Sequence, residues 1–366
     1  MGTAFPIPDI PLVSGEADAP AAQPERRGDV PVPVSVIIPT YNNADQLAQC
    51  LKALRTAADA GTELIVVDDA SRDDVSAVAA CAGARFLRLA RNSGPSAARN
   101  YGARHAQGQI LFFVDADVVV AGDALGRVRT VLSRDAEIAA MFGSYDTRPA
   151  APGLISQYRN LLHHFMHQTG KTEAATFWAG CGAVRRSAFE HVGGFDERGF
   201  PRWVEDVELG YRLRRAGYRI FLDKALQGTH LKRWTLWSVV RTDIFHRAIP
   251  WSRLILDSGE APDDLNLQGN QKASVVLTGL GGLLLAASPF RLALLLPASL
   301  CATAVIVLNR DFYAFLRRLR GMRFAAACVP LHLIYFACCG LGYLSVRLPL
   351  LMRSAIRALP GRRRTK

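Results

Sequence analysis

The last hundred residues constrain this chain most. Residues 274–288 and 292–308 are apolar runs separated only by Pro289, Phe290 and Arg291, and residues 324–346 form a third. At ~1.5 Å rise per residue, roughly 20 helical residues cross a hydrocarbon core, so the third run is long enough and the first two suit a tight hairpin. Short runs also suit buried core helices, but three of them with arginines at their flanks favour membrane insertion. From Asn266 to Lys366 there are fourteen Lys and Arg against one acid, Asp311, a net +13. The whole chain carries +12, so the first 265 residues sum to −1. A nucleic-acid binder would place such charge on a folded, aromatic-studded surface. Here it borders apolar runs, which argues against nucleic acid and for membrane lipids as partners.

Three full spans from a cytoplasmic first domain would put Arg310 and Arg323 inside and the basic residues after Arg347 outside, against the positive-inside tendency. Either one run is re-entrant or interfacial, or the outer charge is tolerated. Residues 236–255 mix Trp237, Ile244, Phe245 and Trp251 with Arg241, Arg247 and Arg253, as an amphipathic helix lying on headgroups does; a core helix is the alternative. Seven cysteines without CxxC spacing give neither a disulfide framework nor a zinc signature, and fit a reducing compartment. Residues 1–33 lack the basic start and apolar core of a signal peptide and read as a flexible leader.

From residue 34 the pattern is α/β with a mostly parallel sheet. Runs 34–38, 64–68, 86–89, 110–114 and 138–142 predict strands, and 44–59, 75–81, 96–106 and 124–133 predict helices, with Pro95 suited to a first helical position. Residues 219–222 predict a further strand. After Pro149 the regularity loosens, and a half rich in Trp, Gly and Arg runs to about Asp264.

Asp115-Ala116-Asp117 follows the apolar run 110–114, which places two carboxylates at a strand end, where open α/β sheets bind ligands. Such a pair suits a hard divalent cation shared with a nucleotide diphosphate, although acids at strand ends are also ordinary loop formers. Asp68-Asp69 closes a second buried strand and Pro39-Thr40-Tyr41-Asn42-Asn43 the first, so three loops converge on one sheet edge.

The segments "VSVIIPTYNN", "ELIVVDDAS", "NSGPSAARNYGA" and "ILFFVDADVVV", in that order, resemble family-2 glycosyltransferases of the GT-A fold. The resemblance covers roughly residues 34–251. It implies that Pro39, Tyr41 and Asp69 line a nucleoside pocket, that Arg99 approaches the diphosphate, and that Asp117, with Asp115 nearby, holds Mg²⁺ or Mn²⁺. "FWAGCGAVRRSAFEHVGGFDE" and "WVEDVELGYRLRRAG" resemble the acceptor half, with Gly180 and Glu205 on the acceptor side and Asp206 as catalytic base. Trp234, further on, suits a stacking platform over the acceptor or an interfacial membrane anchor. By themselves Glu205 and Asp206 read as first-turn acids that favour a helix N-terminus. His230 in "GTHLKRW" is a further metal ligand by the resemblance and a structural histidine otherwise. Residues 230–234 also resemble a QxxRW motif with His in place of Gln, which departs from processive synthases.

The expected organisation is a leader (1–33), a GT-A domain (34–264) with a nucleotide-sugar half (34–149), an acceptor half (150–235) and an interfacial helix (236–264), then an α-helical membrane region (265–366). The expected activity is inverting, metal-dependent transfer of a sugar from a nucleotide-diphosphate donor to a lipid or lipid-linked acceptor, by a multi-pass protein at the cytoplasmic face of a bacterial inner membrane. The alternatives are extension of a polysaccharide and an inactive sugar-nucleotide binder.

Overall fold

The computed structural model describes residues 32–358; the expected leader, apart from Val32 and Pro33, and the end of the basic tail lie outside them. Strands β1 (Val34–Thr40), β2 (Thr62–Asp68), β3 (Arg85–Arg88), β4 (Ile110–Val114), β5 (Val118–Val120), β6 (Ile138–Tyr145), β7 (Cys181–Arg185) and β8 (Arg219–His230) form one sheet. Their order is β3-β2-β1-β4-β7-β6-β8-β5. Helices α1 (Ala44–Ala57), α2 (Val75–Cys81), α3 (Pro95–His105), α4 (Ala124–Arg134), α5 (Leu154–Thr169), α6 (Arg186–His191) and α7 (Glu205–Arg215) lie among them.

Strands β3, β2, β1 and β4 are parallel, with Val36 opposite both Leu64 and Phe112. The apolar runs of β1, β2 and β4 are continuous because helices cover both faces of this part of the sheet. Val34, Val36 and Ile38 join Leu47, Leu51 and Val128 on one face, while Ile37 joins Ala98, Phe113 and Leu209 on the other. This alternation follows from the two-residue period of a strand.

The second half is mixed rather than parallel. After β6 the chain stays at the carboxyl edge through α5, so β7 re-enters from that edge and runs antiparallel to both β4 and β6. Strand β8, twelve residues long, runs parallel to β6 from Arg219 to Gly228 and ends at His230, opposite Val118 of β5. The ends of β1, β2, β4 and β8 thereby meet on one edge.

The segment expected as one amphipathic helix forms in three pieces: α8 (Leu236–Arg241), a π-helical stretch (Thr242–Ala248) and α9 (Ile249–Ser258). Pro250 has no N–H to give where the ladder widens. Beyond it come α10 (Gly269–Ala287), α11 (Leu295–Leu308), α12 (Arg310–Arg320) and α13 (Met322–Ala358). Among the described residues one helix, α13 over Met322–Met352, is long and apolar enough to cross a membrane. The run from Leu292 to Leu308 bends by 67° into α12. At the bend, Asn309 Nδ2 donates to Ser274 Oγ at 2.8 Å and its Oδ1 accepts from Gln271 Nε2 at 3.1 Å, pinning the corner to α10. Tyr158, Leu161 and Leu162 of α5 share a buried cluster with Phe312 and Leu316 of α12 and Phe336 of α13, so the terminal helices pack on the sheet domain.

Helix α7 is seated by Gly210, where a Cβ would lie 2.4 Å from the backbone nitrogen of Phe177. Gly126 in α4 faces open space. Gly210→Ala should therefore destabilise the protein by about 1–3 kcal/mol through overpacking. Gly126→Ala should stabilise it by roughly 0.5–1 kcal/mol through lost chain entropy. Chemical unfolding of the two variants in detergent checks both signs; equal effects would mean that α7 is not closely seated on residues 176–177.

Candidate functional site

The strand ends open into a cleft of about 530 Å³. Pro39, Tyr41, Asp69, Arg99, Asp115, Asp117, Glu205, Asp206, His230 and Trp234 all line it, so loops from both halves converge as the sequence suggested. Gly180 is not among its lining residues. It sits behind the wall, where its carbonyl accepts the backbone N–H of Asp115 at 3.1 Å and a Cβ would collide with the Trp178 ring.

Arg99, on α3, is the buried centre of the site. Its Nη1 donates to Glu205 Oε1 and its Nη2 to Asp115 Oδ1, both at 2.7 Å, and Phe195 lies against the guanidinium with its centroid 5.5 Å away. Arg99 was expected at a diphosphate; its two terminal nitrogens are engaged by carboxylates from the end of β4 and the start of α7. Asp206 stands beside this pair. Its Oδ2 accepts from Ala179 N at 3.1 Å and its Oδ1 from Val207 N at 2.9 Å.

Burial pushes the Glu205 carboxyl up to about 7; Arg99 pulls it down and the nearby charge of Asp206 pushes it up again. Asp206 is also raised by burial, against the pull of Arg99 and its two backbone donors. One guanidinium among three carboxylates does not neutralise all of them, so a proton held at this cluster near neutral pH is the physical expectation. Trp203 and Val204, immediately before α7, both adopt positive φ, 61° and 53°. Two consecutive left-handed residues cost on the order of 1–3 kcal/mol each, and they turn the chain so that Glu205 and Asp206 open the helix at the cleft.

On the opposite wall, Asp117 meets His230. Asn160 Nδ2 donates to Ser156 O at 3.0 Å, which directs its Oδ1 to His230 Nδ1 at 2.6 Å, so this network assigns the proton to Nδ1. His230 Nε2 then presents its lone pair to Asp117 Oδ2 at 3.3 Å. Two such lone pairs repel unless a cation lies against both or the ring carries a second proton. A carboxylate oxygen beside an imidazole nitrogen whose far N–H is hydrogen-bonded is a donor set that fits a divalent ion. Asp115 has one oxygen on Arg99, and among the described residues no three His, Cys, Asp or Glu side chains converge as a ligand set. A bound ion would therefore draw its remaining ligands from substrate and water.

Asp69, at the end of β2, organises a neighbouring loop. Its Oδ1 accepts from Ser93 N at 2.6 Å and its Oδ2 from Gly94 N at 2.8 Å, fixing the loop that leads into α3. Gly94 has φ 94°, and a Cβ there would lie 2.4 Å from Pro201 O. Tyr41, 47% exposed, stands at the mouth.

Sequence reasoning missed α5 and the π-helical stretch. Tyr145 stacks on His230 at 4.4 Å and packs on His163 at 4.3 Å, and His163 packs on His167 at 4.1 Å. Burial drives His163 well below its ordinary value and His167 down to about 4, so both rings are neutral. Arg159 and Arg247 complete this end of the cleft. The polar residues interrupting the apolar face of 154–169 were the available signal.

Residues 35–193 match the model of Glycosyl transferase family 2. The chain is 30% identical over 200 residues to the pre-mycofactocin glycosyltransferase of Mycobacterium tuberculosis, covering 51% of this chain and 40% of that protein. It is 28% identical over 227 residues to the probable glycosyltransferase YdaM of Bacillus subtilis, covering 57% and 53%. Across the curated relatives that head the comparison, the chain spans from 14% to 53% of their length. In structure it is similar to mannosyltransferase PcManGT from Pyrobaculum calidifontis in complex with GDP-Man and Mn²⁺, with a TM-score of 0.56, 19% identity, and 86% and 87% of the two chains covered. That likeness shows a shared fold.

The raised Glu205 carboxyl has a consequence for stability. The native state keeps the Glu205 proton up to about pH 7, whereas the ordinary value is 4.5, so between these values the native state binds more protons than the unfolded chain. This contribution is complete below about 4.5 and is lost as pH rises through about 7. Glu205→Gln mimics the protonated form. Its melting temperature should match wild type at pH 4 and exceed it at pH 8; a difference that does not change with pH would mean that Glu205 is ionised throughout.

Proposed function

We propose, from the family-2 glycosyltransferase domain of GT-A fold that this chain carries, that it transfers a sugar with inversion from a nucleotide-diphosphate donor to a hydroxyl of a lipid or lipid-linked acceptor. The observation that carries this reading is the placement of Asp206 and the Asp117–His230 pair in one cleft at the strand ends.

In this reading Pro39, Tyr41 and the loop held by Asp69 receive the nucleoside, and the diphosphate lies near Asp117. Asp117 and His230 would hold Mg²⁺ or Mn²⁺, whose charge neutralises the departing diphosphate. Asp206 takes the proton of the acceptor hydroxyl as that oxygen attacks the anomeric carbon. The bond from that carbon to the diphosphate oxygen breaks, and its electron pair leaves with the nucleotide. Attack opposite the leaving group inverts the carbon and calls for a single base. Burial raises the Asp206 carboxyl, which brings its basicity closer to what proton transfer at neutral pH requires. Arg99 orients the cluster by holding Asp115 and Glu205. Glu205, Trp234 and the wall that Gly180 backs face the acceptor.

The membrane placement is supported by the length of α13 and by apolar side chains exposed on the terminal helices, Leu283 at 72%, Phe290 at 94% and Leu292 at 74% among them. In this reading the protein is a multi-pass protein of a bacterial inner membrane, with its sheet domain on the cytoplasmic side.

Asp206→Asn separates binding from chemistry, because Asp206 is assigned to the acceptor proton alone. Calorimetry should give unchanged nucleotide affinity, while turnover falls by about 10²-fold or more. Loss of nucleotide binding with turnover retained would remove Asp206 as the base. Excess EDTA should silence the wild-type enzyme, and full activity in chelator would end the metal assignment.

A further inference from the structure

The cleft continues past the reacting centre, from His230 through Tyr145 and His163 to Arg159 and Arg247. A cavity of about 30 Å³ between Arg159, His163, Arg247, Asn266 and Tyr335 closes this end. The two arginines differ in their surroundings. Arg159 is compensated, its Nη2 2.6 Å from Asp243 Oδ1 and its Nη1 donating to Asp243 Oδ2 at 3.2 Å. Arg247 is half-buried and, among the described residues, has neither a carboxylate within 4.0 Å nor a hydrogen-bond acceptor. Lys232, 4.2 Å over the Trp234 ring, likewise has no carboxylate partner among them. Trp234 Nε1 and His163 Nδ1 are buried without partners.

Of the carboxylates near this end, Asp243 is held by Arg159, and Asp117 faces His230 at the site proposed for the divalent ion; among the described residues neither is within 4.0 Å of Arg247. The histidines beside Arg247 are neutral. A half-buried guanidinium with no counter-charge is unfavourable by itself, so the missing anion is most simply a group of the ligand. Arginine presents a fork of donors that suits a phosphate.

The wall that carries Arg247 rests on the helix long enough to cross a membrane. Gly342 of α13 approaches Ala248 so closely that a Cβ would lie 2.4 Å from the Ala248 Cβ. Tyr335 of the same helix lines the cavity. The uncompensated cation therefore stands where the catalytic cleft meets α13, the place an amphiphile reaches by moving sideways from a bilayer.

We infer that Arg247, with Lys232 and Trp234, binds the phosphate of a phosphate-bearing lipid and so selects it as the acceptor. This rests on the glycosyl-transfer reading above and specifies its acceptor class. The hydroxyl that attacks then belongs to the same polar head, held toward Asp206 by the phosphate contact.

The test uses the full chain in dodecyl maltoside micelles, with intrinsic tryptophan fluorescence as the readout. Dodecyl phosphate, dodecyl glucoside and inorganic phosphate are titrated separately, and a panel of nucleoside diphosphates probes the donor side. Dodecyl phosphate should bind saturably and about tenfold or more tighter than either control, since only it offers both anion and chain. Arg247→Gln should weaken it by about tenfold and Arg247→Lys by less than about threefold, with nucleoside diphosphate affinity unchanged in both, which also shows that the variants are folded. The inference fails if Arg247→Gln leaves dodecyl phosphate binding unaltered, or if nucleoside diphosphate affinity falls instead, which would assign Arg247 to the donor. Inorganic phosphate binding as tightly as dodecyl phosphate would overturn the lipid source in favour of a soluble phosphorylated acceptor. A wild-type chain that binds dodecyl phosphate but no nucleoside diphosphate would remove the donor reading beneath the inference and leave the phosphate site standing.

Discussion

Everything at the site depends on one buried cation. Arg99 comes from α3 in the first half of the chain and joins Asp115 at the end of β4 to Glu205 at the start of α7, 16 and 106 residues away. Removing one member of a buried ion pair leaves an uncompensated charge at a cost of about 3–5 kcal/mol. The network therefore locks the two halves of the cleft in register before any ligand arrives. Burial raises Glu205 and Asp206, and the single guanidinium does not bring all of the surrounding carboxylates down. Burial, and to a lesser degree the neighbouring Asp115, raises the carboxyl of Asp206, the residue proposed as the base.

The surrounding backbone holds that geometry. Trp203 and Val204 in left-handed conformation, Gly94 pressed on Pro201 O, and Gly210 against the Phe177 backbone are three close or strained places that aim α3 and α7 at each other. On the far wall the chain Ser156–Asn160–His230 fixes which imidazole nitrogen faces Asp117. Each wall thus has its own orienting network, and the strand ends set the gap between them. Trp203 stacks on His246 of the π-helical stretch at 4.0 Å, so the strained entrance to α7 also touches the segment that carries Arg247.

Much of this was legible in the sequence wherever the signal was local. The continuous apolar runs of β1, β2 and β4 appear as strands, 75–81 forms α2 with the expected limits, and the acids at strand ends lie on one edge. What depended on distant pairing was not legible. Strand β7 has small residues and an antiparallel direction imposed by the path of α5, and β5 spans three residues only. Nothing near Arg99 in sequence shows its two carboxylate partners, Asp115 and Glu205. The helix expected over 236–255 widens into a π-helical stretch around a buried Asp243, which only its pairing with Arg159 explains. Composition located the apolar C-terminal runs but not the 67° bend after Leu308, which polar contacts of Asn309 secure.

In the proposed reading, a nucleotide end set by Asp69, a reacting centre between Asp206 and Asp117, and a cationic end against α13 would form a path from aqueous donor to membrane acceptor. The most direct test is to incubate membranes containing the full chain with a panel of sugar nucleotides radiolabelled in the sugar, and then to separate organic-extractable lipid from water-soluble and polymeric products. One donor should pass its label to the lipid fraction in membranes that contain the chain and not in membranes that lack it. Label found only in a soluble or polymeric product, or transferred from no donor, would contradict the account.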